Sequence, residues 1–590
     1  RSDCLFFVKI ARLSSHCINM FEERPSPIIA SAASARKLPR LALLALLILF
    51  IIPGLLSRDF WSSHEISIFA VALTMINGSG VDWMLPNIDG VAYYTSGPLT
   101  AWVAAIFAKL FGWLFGIDSA ARLSVLAWFA MGTASVWYGT WYLARRDEAQ
   151  PVALAFGGQA DPRDYGRVVA DAALLLFIAT FGLFVPIREM VADAALLAVT
   201  AGFFFSLAWT FTRPLGGPLL TGVMVSTAIL VSDLFSGCVL LLIALIIHAR
   251  FHAYETPFIM RATSIVVSAA ALFFIWPVLA VGIAIETVDA WFAAWWNAQL
   301  ALFSGISLSA INNAVKNCLW FLWPLWPFVL FSLYAFRKQL DRTHIKLPLW
   351  ISAGLAFFSL TGNISGDHYL MILTPTLSVL AAFGLLSSHR SRASMLDWFS
   401  ATVFTLALAT LWAYYIAWNL GWPPKMAKSV INLAPGIEPT VHGLLFVLCF
   451  VTLLAWLTLV LWRMNRKQVV AWKGPWLAAA GVTALSLTCV YLFGPAIDNA
   501  RSYAPIAQAA SLAYESESRE GDCLSTHTLD PAKRVLFNFY GLSLSSNAQC
   551  RFNLERVQNN QDEMIAYHFE ILGLYNRPRD RETFALLKNN

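Results

Sequence analysis

Long apolar runs, separated by short polar segments, follow one another along the chain as far as residue 493. A helix of about 20 apolar residues crosses the hydrocarbon core of a bilayer. Most runs have that length or nearly so, which favours spanning helices over strands. The pattern predicts an all-α polytopic membrane protein. The thirteen runs lie near 41–57, 123–143, 169–186, 193–211, 219–232, 235–249, 262–285, 320–336, 347–361, 369–386, 399–419, 444–462 and 475–493.

One further apolar run, 97–115, is ambiguous, and the positions of the basic residues decide how it is counted. If it lies along the outer surface, the basic loops alternate and share one side with the basic N-terminus. Lysine and arginine are concentrated in cytoplasmic loops, so this arrangement is favoured. It predicts about thirteen spans. The basic loops carry Arg145 and Arg146, Arg213, Arg250 and Arg261, Arg337, Lys338 and Arg342, Arg390 and Arg392, and Arg463, Arg466 and Lys467.

The same argument divides the chain into three parts: a cytoplasmic segment 1–40, a transmembrane domain 41–493 and a tail 494–590 on the outer side. Within the transmembrane domain, 58–122 is a long outer loop. In this loop, 64–77 has the pattern of an amphipathic helix at the membrane interface, and 97–115 reads as a second interfacial or re-entrant helix.

The polar tail predicts a small α/β domain. Helices are expected near 503–516 and 561–574, and strand-like runs lie at 523–527 and 535–544. Cys523 and Cys550 are the only cysteines in this tail. If the tail faces an oxidising compartment, we expect these two residues to form a disulfide.

Composition supports the membrane class. The chain is 58% hydrophobic and 13% charged, with a mean hydropathy of +0.63, whereas soluble domains have about 25% charged residues. The net charge of +6 is spread over short loops and the N-terminus. This distribution is typical of membrane topology and gives no indication of nucleic-acid binding.

Three stretches of the outer loop carry a family resemblance: 63–73 (SHEISIFAVAL), 81–94 (VDWMLPNIDGVAYY) and 97–102 (GPLTAW). They resemble the first periplasmic loop of bacterial lipid-linked-sugar transferases, above all the aminoarabinose transferases of lipid A, relatives of the protein O-mannosyltransferases. In that family an acidic pair opens the loop; His64 stands at its first position and Glu65 at its second. Weaker matches are Arg188 with Asp193, 368–375 (HYLMILTP), 497–508 (IDNARSYAPIAQ) and 537–541 (FNFYG).

The resemblance implies a glycosyltransferase of the C superfamily, in the inner membrane of a bacterium, with thirteen helices and a periplasmic site. Such an enzyme moves a sugar from undecaprenyl phosphate to lipid A or another envelope glycolipid. The leaving phosphate needs cations, and a hydroxyl acceptor needs a carboxylate base. The predicted catalytic residues are Glu65, Asp193, Asp59 and His64. The predicted substrate-binding and phosphate-binding residues are Arg58, Arg122, Arg188, His368, Tyr369 and Tyr94.

Several points stay open at this stage. The sequence requires no cofactor, although a divalent metal ion is compatible with the acidic residues, and we expect a monomer in the lipid bilayer. A lipid-linked oligosaccharide ligase or polymerase normally carries a large arginine-rich loop, whereas 286–319 has one lysine and no arginine. A transporter predicts inverted repeats, which are not evident. A non-catalytic relative is the last alternative.

Overall fold

The computed structural model describes residues 26–56, 58–153, 157–302, 308–359, 368–387, 390–439, 441–465, 470–526, 528–545, 550–557, 569–578 and 582–589. This part of the chain is mostly helical. Its helices are α1 (Arg40–Ile51), α2 (Ser63–Asn77), α3 (Gly80–Met84), α4 (Leu99–Phe115), α5 (Ile117–Arg122), α6 (Val125–Ala144), α7 (Pro162–Ile178), α8 (Ala192–Trp209), α9 (Gly216–Val231), α10 (Leu234–Arg250), α11 (Phe258–Ile283), α12 (Val288–Leu300), α13 (Leu308–Phe321), α14 (Leu325–Ala335), α15 (Thr343–Ser359), α16 (His368–Met371), α17 (Thr374–Ser387), α18 (Arg390–Leu420), α19 (Pro424–Leu433), α20 (Gly443–Met464), α21 (Lys473–Arg501), α22 (Ala504–Glu517) and α23 (Pro531–Phe539).

Each of the thirteen predicted apolar runs coincides with a helix or with a pair of helices. Among the described residues, five helices are long and apolar enough to cross a membrane, or up to seven if two bent pairs each count as one span. Several of the other helices are apolar but shorter. The structure therefore confirms a polytopic arrangement of apolar helices, and the number of spans stays a prediction.

The centre of the helical bundle is built on close contact between α6 and α8. A side chain added at Gly139 of α6 would lie 2.5 Å from the ring of Phe204 in α8, so only glycine allows this approach. Small residues bring membrane helices close together, where dispersion contacts hold them. As a result, α8 is buried along most of its length, whereas α11 and α20 leave apolar side chains exposed at the periphery.

The first outer loop is folded onto the bundle. It contains α2, α3, a two-residue antiparallel ladder of β1 (Asn87–Ile88) and β2 (Val91–Ala92), α4 and α5. Gly97 donates its N–H to the carbonyl of Ser232 at 2.8 Å. A Cβ at Gly97 would lie 2.2 Å from the Leu230 carbonyl oxygen, so glycine is needed where the loop meets the end of α9.

The helix predicted at 64–77 is present as α2, and its position at the membrane interface stays a prediction. It is more buried than an amphipathic pattern indicates, since five consecutive side chains from Ile68 to Ala72 are buried. The reason is that α2 is covered from two directions. α4 packs on one side of it and α23 of the tail on another.

The tail forms a five-stranded sheet with helices α22 and α23. The strands β3 (Leu524–Ser525), β4 (Leu544–Ser545), β5 (Phe552–Val557), β6 (Phe569–Asn576) and β7 (Thr583–Asn589) lie in the order β4-β3-β5-β7-β6. β3 is parallel to β4 and β5, and β7 is antiparallel to β5 and β6. Cys523 and Cys550 form the expected disulfide.

Two sequence expectations for the tail are wrong. Most of 535–544 is helical, because Pro531 starts α23 and Gly541 ends it with a positive φ of 96°. The run is apolar along one buried helical face instead of alternating as a half-buried strand does. The predicted helix at 561–574 is the strand β6 where the structure describes it, from Phe569, because all of its residues except the bulged Leu572 pair with β7.

The tail is docked against the first outer loop. Phe539 of α23 contacts Phe69 of α2 edge-on, with ring centroids 5.1 Å apart. Arg534 forms an ion pair of 2.8 Å with Asp89 in the turn between β1 and β2. An apolar contact and an ion pair therefore join the tail to the loop that leads into the bundle.

One carboxylate joins several elements of the tail. Glu582 accepts hydrogen bonds from Lys533 at 2.7 Å and from the Tyr503 hydroxyl at 3.0 Å, and Arg556 lies 3.1 Å away. Burial acts to raise the pKa of Glu582, but these partners outweigh it and hold the pKa below its ordinary value. Glu582 thus stabilises the tail while it is ionised.

We predict that acid weakens the tail through Glu582. Because its pKa is lowered on folding, its contribution is present above the unfolded-state value of about 4.3 and is lost as the pH falls through the lower folded value. Solvent screening limits the contribution to about 1 kcal/mol. At pH 7, Glu582→Gln should lower the free energy of opening of β5 and β7, as measured by hydrogen exchange. In the wild type this free energy should fall below pH 4.5, and the variant should show a smaller fall. The exposed Glu520→Gln is the control; an equal effect there would contradict the assignment.

Candidate active site

Arg58 lies where three parts of the chain meet. Its Nε donates to the Gly54 carbonyl just after α1 at 2.6 Å, and its Nη2 donates to the Arg188 carbonyl between α7 and α8 at 3.2 Å. Its two terminal nitrogens also bind both carboxylate oxygens of Glu65 on α2, at 2.9 and 2.7 Å. A bidentate guanidinium–carboxylate pair fixes orientation as well as charge.

Glu65 is fully buried in the first turn of α2. Its backbone N–H is capped by the Ser62 hydroxyl at 3.2 Å, which starts the helix at this position. Its carboxylate also accepts the backbone N–H of Met190 at 3.2 Å. Burial acts to lower the pKa of Arg58, but the Glu65 carboxylate offsets this and the pKa is raised. Arg58 therefore keeps its charge, and the Glu65 carboxylate holds it in place.

Arg188 is a second buried arginine, 5% exposed, at the end of the connection that follows α7. Its Nε donates to the Phe50 carbonyl at 3.0 Å, and its terminal nitrogens contact the carbonyls of Phe50 and Phe184. Among the described residues it forms no ion pair with a carboxylate. Its charge is therefore balanced by carbonyl dipoles and by the faces of the Phe50 and Phe184 rings, which lie 4.7 and 5.6 Å from the guanidinium carbon.

Both arginines line a cavity of about 550 Å³. Arg501 at the end of α21, Glu189 and Trp61 complete the polar part of its wall. The remainder is formed largely by apolar side chains from α18, α19 and α21, namely Leu411, Val430, Leu433, Val490, Phe493, Ala496 and Ile497. A cavity wall that combines cations with apolar surface suits an amphiphilic anion.

Asp59 and Asp498 lie beside this cavity. Asp498 of α21 accepts the backbone N–H of Asp59 at 3.1 Å and the indole N–H of Trp61 at 2.7 Å. Asp498 therefore anchors the start of the first loop to the end of α21. The Asp59 carboxylate is half-buried, and no described residue donates a hydrogen bond to it.

Two crystal structures share this architecture. ArnT from Cupriavidus metallidurans in the apo state matches with a TM-score of 0.61 at 15% identity, over 93% of this chain and 97% of that chain. The same protein bound to undecaprenyl phosphate matches with a TM-score of 0.59 at 14% identity, over the same shares. The chain has the ArnT fold. No protein-family model matches it, and no curated protein does.

The ArnT fold agrees with the resemblance seen in the outer loop, which is confirmed at the level of the fold. The match extends over nearly the whole of both chains and thus includes the tail. Which residues act in this chain has to be argued from its own geometry.

Within the ArnT fold, Asp193 lies in the first turn of α8 and is half-buried. It is close enough to Tyr93 for its charge to act on that phenol, as does Asp530 before α23. Burial first, and then these two carboxylates, raise the pKa of Tyr93. Asp193 therefore faces the junction of the first loop with the tail.

Three other predicted site residues, His64, Arg122 and Tyr94, do not line the cavity. His64 is exposed. Arg122 is fully buried, but it binds the Leu55 carbonyl at 3.2 Å and Asp118 at 2.7 Å and does not line the cavity. Tyr94 packs against Trp291, with ring centroids 5.3 Å apart. His368 and Tyr369 begin α16, and their side chains lie outside the described residues.

Sequence reasoning missed Arg501, Asp498 and Trp61 as parts of this site. Two of them stand in the stretch 497–508 that carries the family resemblance, and that match was the available signal. Within the described part of the chain, no three His, Cys, Asp or Glu side chains converge as metal ligands. Metal dependence stays a prediction.

We predict that Glu65→Gln destabilises the protein by about 3–5 kcal/mol, because a buried arginine loses its ionised partner. Denaturation of the purified protein in detergent measures this. The adjacent His64→Gln changes an exposed side chain and should stay within about 0.5 kcal/mol. Equal stability of the two variants would show that the Arg58–Glu65 pair does not organise the site.

Proposed function

We propose that this protein is a glycosyltransferase of a bacterial inner membrane. It would transfer a sugar from undecaprenyl phosphate to lipid A or another envelope glycolipid at the periplasmic face. The proposal includes thirteen spans, with the loop 58–122 and the tail 494–590 in the periplasm, as the positive-inside rule favours. The ArnT fold supports the general class of a membrane glycosyltransferase.

One observation carries the choice of donor: Arg188 is a buried cation at the wall of a cavity, with no carboxylate partner among the described residues. A buried charge without a counterion is costly. A guanidinium has five N–H donors, of which three contact carbonyls here. The other two suit a phosphate, and Arg501 adds a second cation at the same wall.

The apolar wall supports a polyprenyl chain on this phosphate. Val430 and Leu433 of α19 and Phe493 of α21 give the wall of this cavity apolar surface. Burial of each methylene group contributes about 0.8 kcal/mol, so a long isoprenoid gains affinity along such a wall. The ArnT crystal structure with undecaprenyl phosphate is consistent with this class of ligand.

In the proposed reaction the bond between the anomeric carbon of the sugar and the donor phosphate oxygen breaks, and its electron pair stays on the lipid phosphate. An acceptor oxygen forms the new bond to that carbon. If the acceptor is a hydroxyl, a carboxylate takes its proton; an ionised phosphate acceptor needs no base. We assign this role to Asp59, because Glu65 is held in its pair with Arg58.

Donor binding is the first test. Native mass spectrometry of the purified protein should show undecaprenyl phosphate bound more tightly than farnesyl phosphate. Arg188→Gln and Arg501→Gln should each weaken binding about tenfold or more, since a charge-assisted bond is worth about 1.5–3 kcal/mol. Arg519→Gln, an exposed arginine of the tail away from the cavity, is the matched control. Unchanged affinity in both cavity variants would contradict the assignment.

Turnover is the second test. Mass spectrometry of lipid A and other envelope glycolipids, with and without the protein, should reveal one added sugar. With a hydroxyl acceptor, Asp59→Asn should slow transfer about 10²–10⁴-fold while donor binding is kept. Asp164→Asn, at an exposed ion pair with Lys37, should have no effect. The transferase proposal fails if no glycolipid changes mass.

A further inference from the structure

A second charged cavity, of about 1100 Å³, lies at the other end of the bundle from the arginine cavity. α6 begins just after Arg122, which is bonded to the Leu55 carbonyl near the first site, and it is 20 residues long. At 1.5 Å per residue, its far end lies about 30 Å away, a bilayer thickness. The proposed topology makes this the cytoplasmic face.

Four cations from two separate parts of the chain line this second cavity: Arg145 and Arg146 after α6, and Lys338 and Arg342 between α14 and α15. Asp147, Glu148 and Asp341 share the wall, so the lining has one more positive charge than negative. Loops with basic residues are common at cytoplasmic helix ends. Here the basic residues surround a single concavity.

The cavity wall is organised by Glu148. Its carboxylate accepts hydrogen bonds from the Arg146 guanidinium at 2.7 Å and from the backbone N–H of Thr343 at 3.2 Å. Its backbone carbonyl accepts a hydrogen bond from the Arg342 guanidinium at 2.9 Å. The short turn after α6 is thereby joined to the start of α15. The guanidinium of Arg146 also stacks on Phe211 at 4.2 Å. Arg146 and Arg342 are thus held in place before any ligand binds.

Arg145 and Lys338 are not used in this way. Arg145 lies over the Trp141 ring at 4.3 Å, and its buried Nε has no hydrogen-bond acceptor. Neither Arg145 nor Lys338 forms an ion pair with a carboxylate of the described chain. Stacked guanidinium groups keep their edge donors for planar or tetrahedral oxyanions. These two cations, without carboxylate partners among the described residues, are therefore available to bind an anion in this cavity.

We propose that this second cavity binds a phosphate group, as an anionic headgroup of the adjacent leaflet or as a soluble phosphate. Basic pockets between helices on the cytoplasmic side suit anionic headgroups. The inference is independent of the donor site, because no residue lines both cavities.

Native mass spectrometry of the full chain in detergent, titrated with dioleoylphosphatidylglycerol, tests the headgroup source, and inorganic pyrophosphate tests the soluble source. We expect phosphatidylglycerol to bind more tightly than phosphatidylcholine. Arg145→Gln and Lys338→Gln should each weaken binding about tenfold, since each removes a charge-assisted contact. Arg250→Gln removes an exposed arginine at the end of α10 that does not line the cavity, and should have an effect below about twofold.

Pyrophosphate that binds and competes with the lipid, with the same dependence on Arg145 and Lys338, would support the soluble source. Lipid binding that pyrophosphate leaves unchanged would support the headgroup source. The proposal is overturned if neither probe binds. It is also overturned if both cavity variants bind like the wild type, or if Arg250→Gln loses as much affinity as they do. Because the two variants lie in different segments, a folding defect in one leaves the other as the test.

Discussion

The buried pair of Arg58 and Glu65 is the interaction on which the end of the bundle next to the loop 58–122 depends. Removal of two charges from water is expensive, and it is compensated only where the geometry is close and the remaining donors are satisfied. Here Arg58 also binds the carbonyls of Gly54, Asp59 and Arg188, and Glu65 accepts the Met190 N–H. One pair therefore fixes the exit of α1, the start of α2 and the entry to α8 relative to one another.

The arginine cavity follows from this arrangement. With Glu65 paired to Arg58, the charge of Arg188 is left to carbonyl dipoles and two aromatic rings, at the wall of a cavity that is otherwise largely apolar. The tail completes the structure around this end of the bundle. Phe539 packs on α2 and Asp498 anchors the first loop, so the loop is held from the bundle and from the tail.

The helical architecture could be predicted from the sequence because apolar length is a local property. The run 193–211 is long enough to require burial in lipid or protein, and it forms α8. The Cys523–Cys550 disulfide could also be predicted from the sequence, since no other cysteine lies in the tail. Glu65, Arg58 and Arg188 were singled out through the outer-loop pattern and the spacing of Arg188 to Asp193, and the structure brings these three together.

The sequence predictions differ from the structure where contacts between residues far apart in the chain determine the local fold. The apolar positions of 64–77 could not reveal that α23, more than 450 residues later, covers α2. The run 535–544 has strand-like composition, but its cap residues and one buried face make it a helix. Arg501 is one basic residue among 41 in the sequence. Its place at the cavity depends on the path of α21, which no local pattern encodes.

A structure of the purified protein with undecaprenyl phosphate, determined by electron cryomicroscopy, tests the central claim most directly. The account predicts phosphate density within hydrogen-bonding distance of the Arg188 guanidinium, with the isoprenoid chain along Val430, Leu433 and Phe493. Lipid density elsewhere, with Arg188 still bonded only to the carbonyls of Phe50 and Phe184, would contradict it.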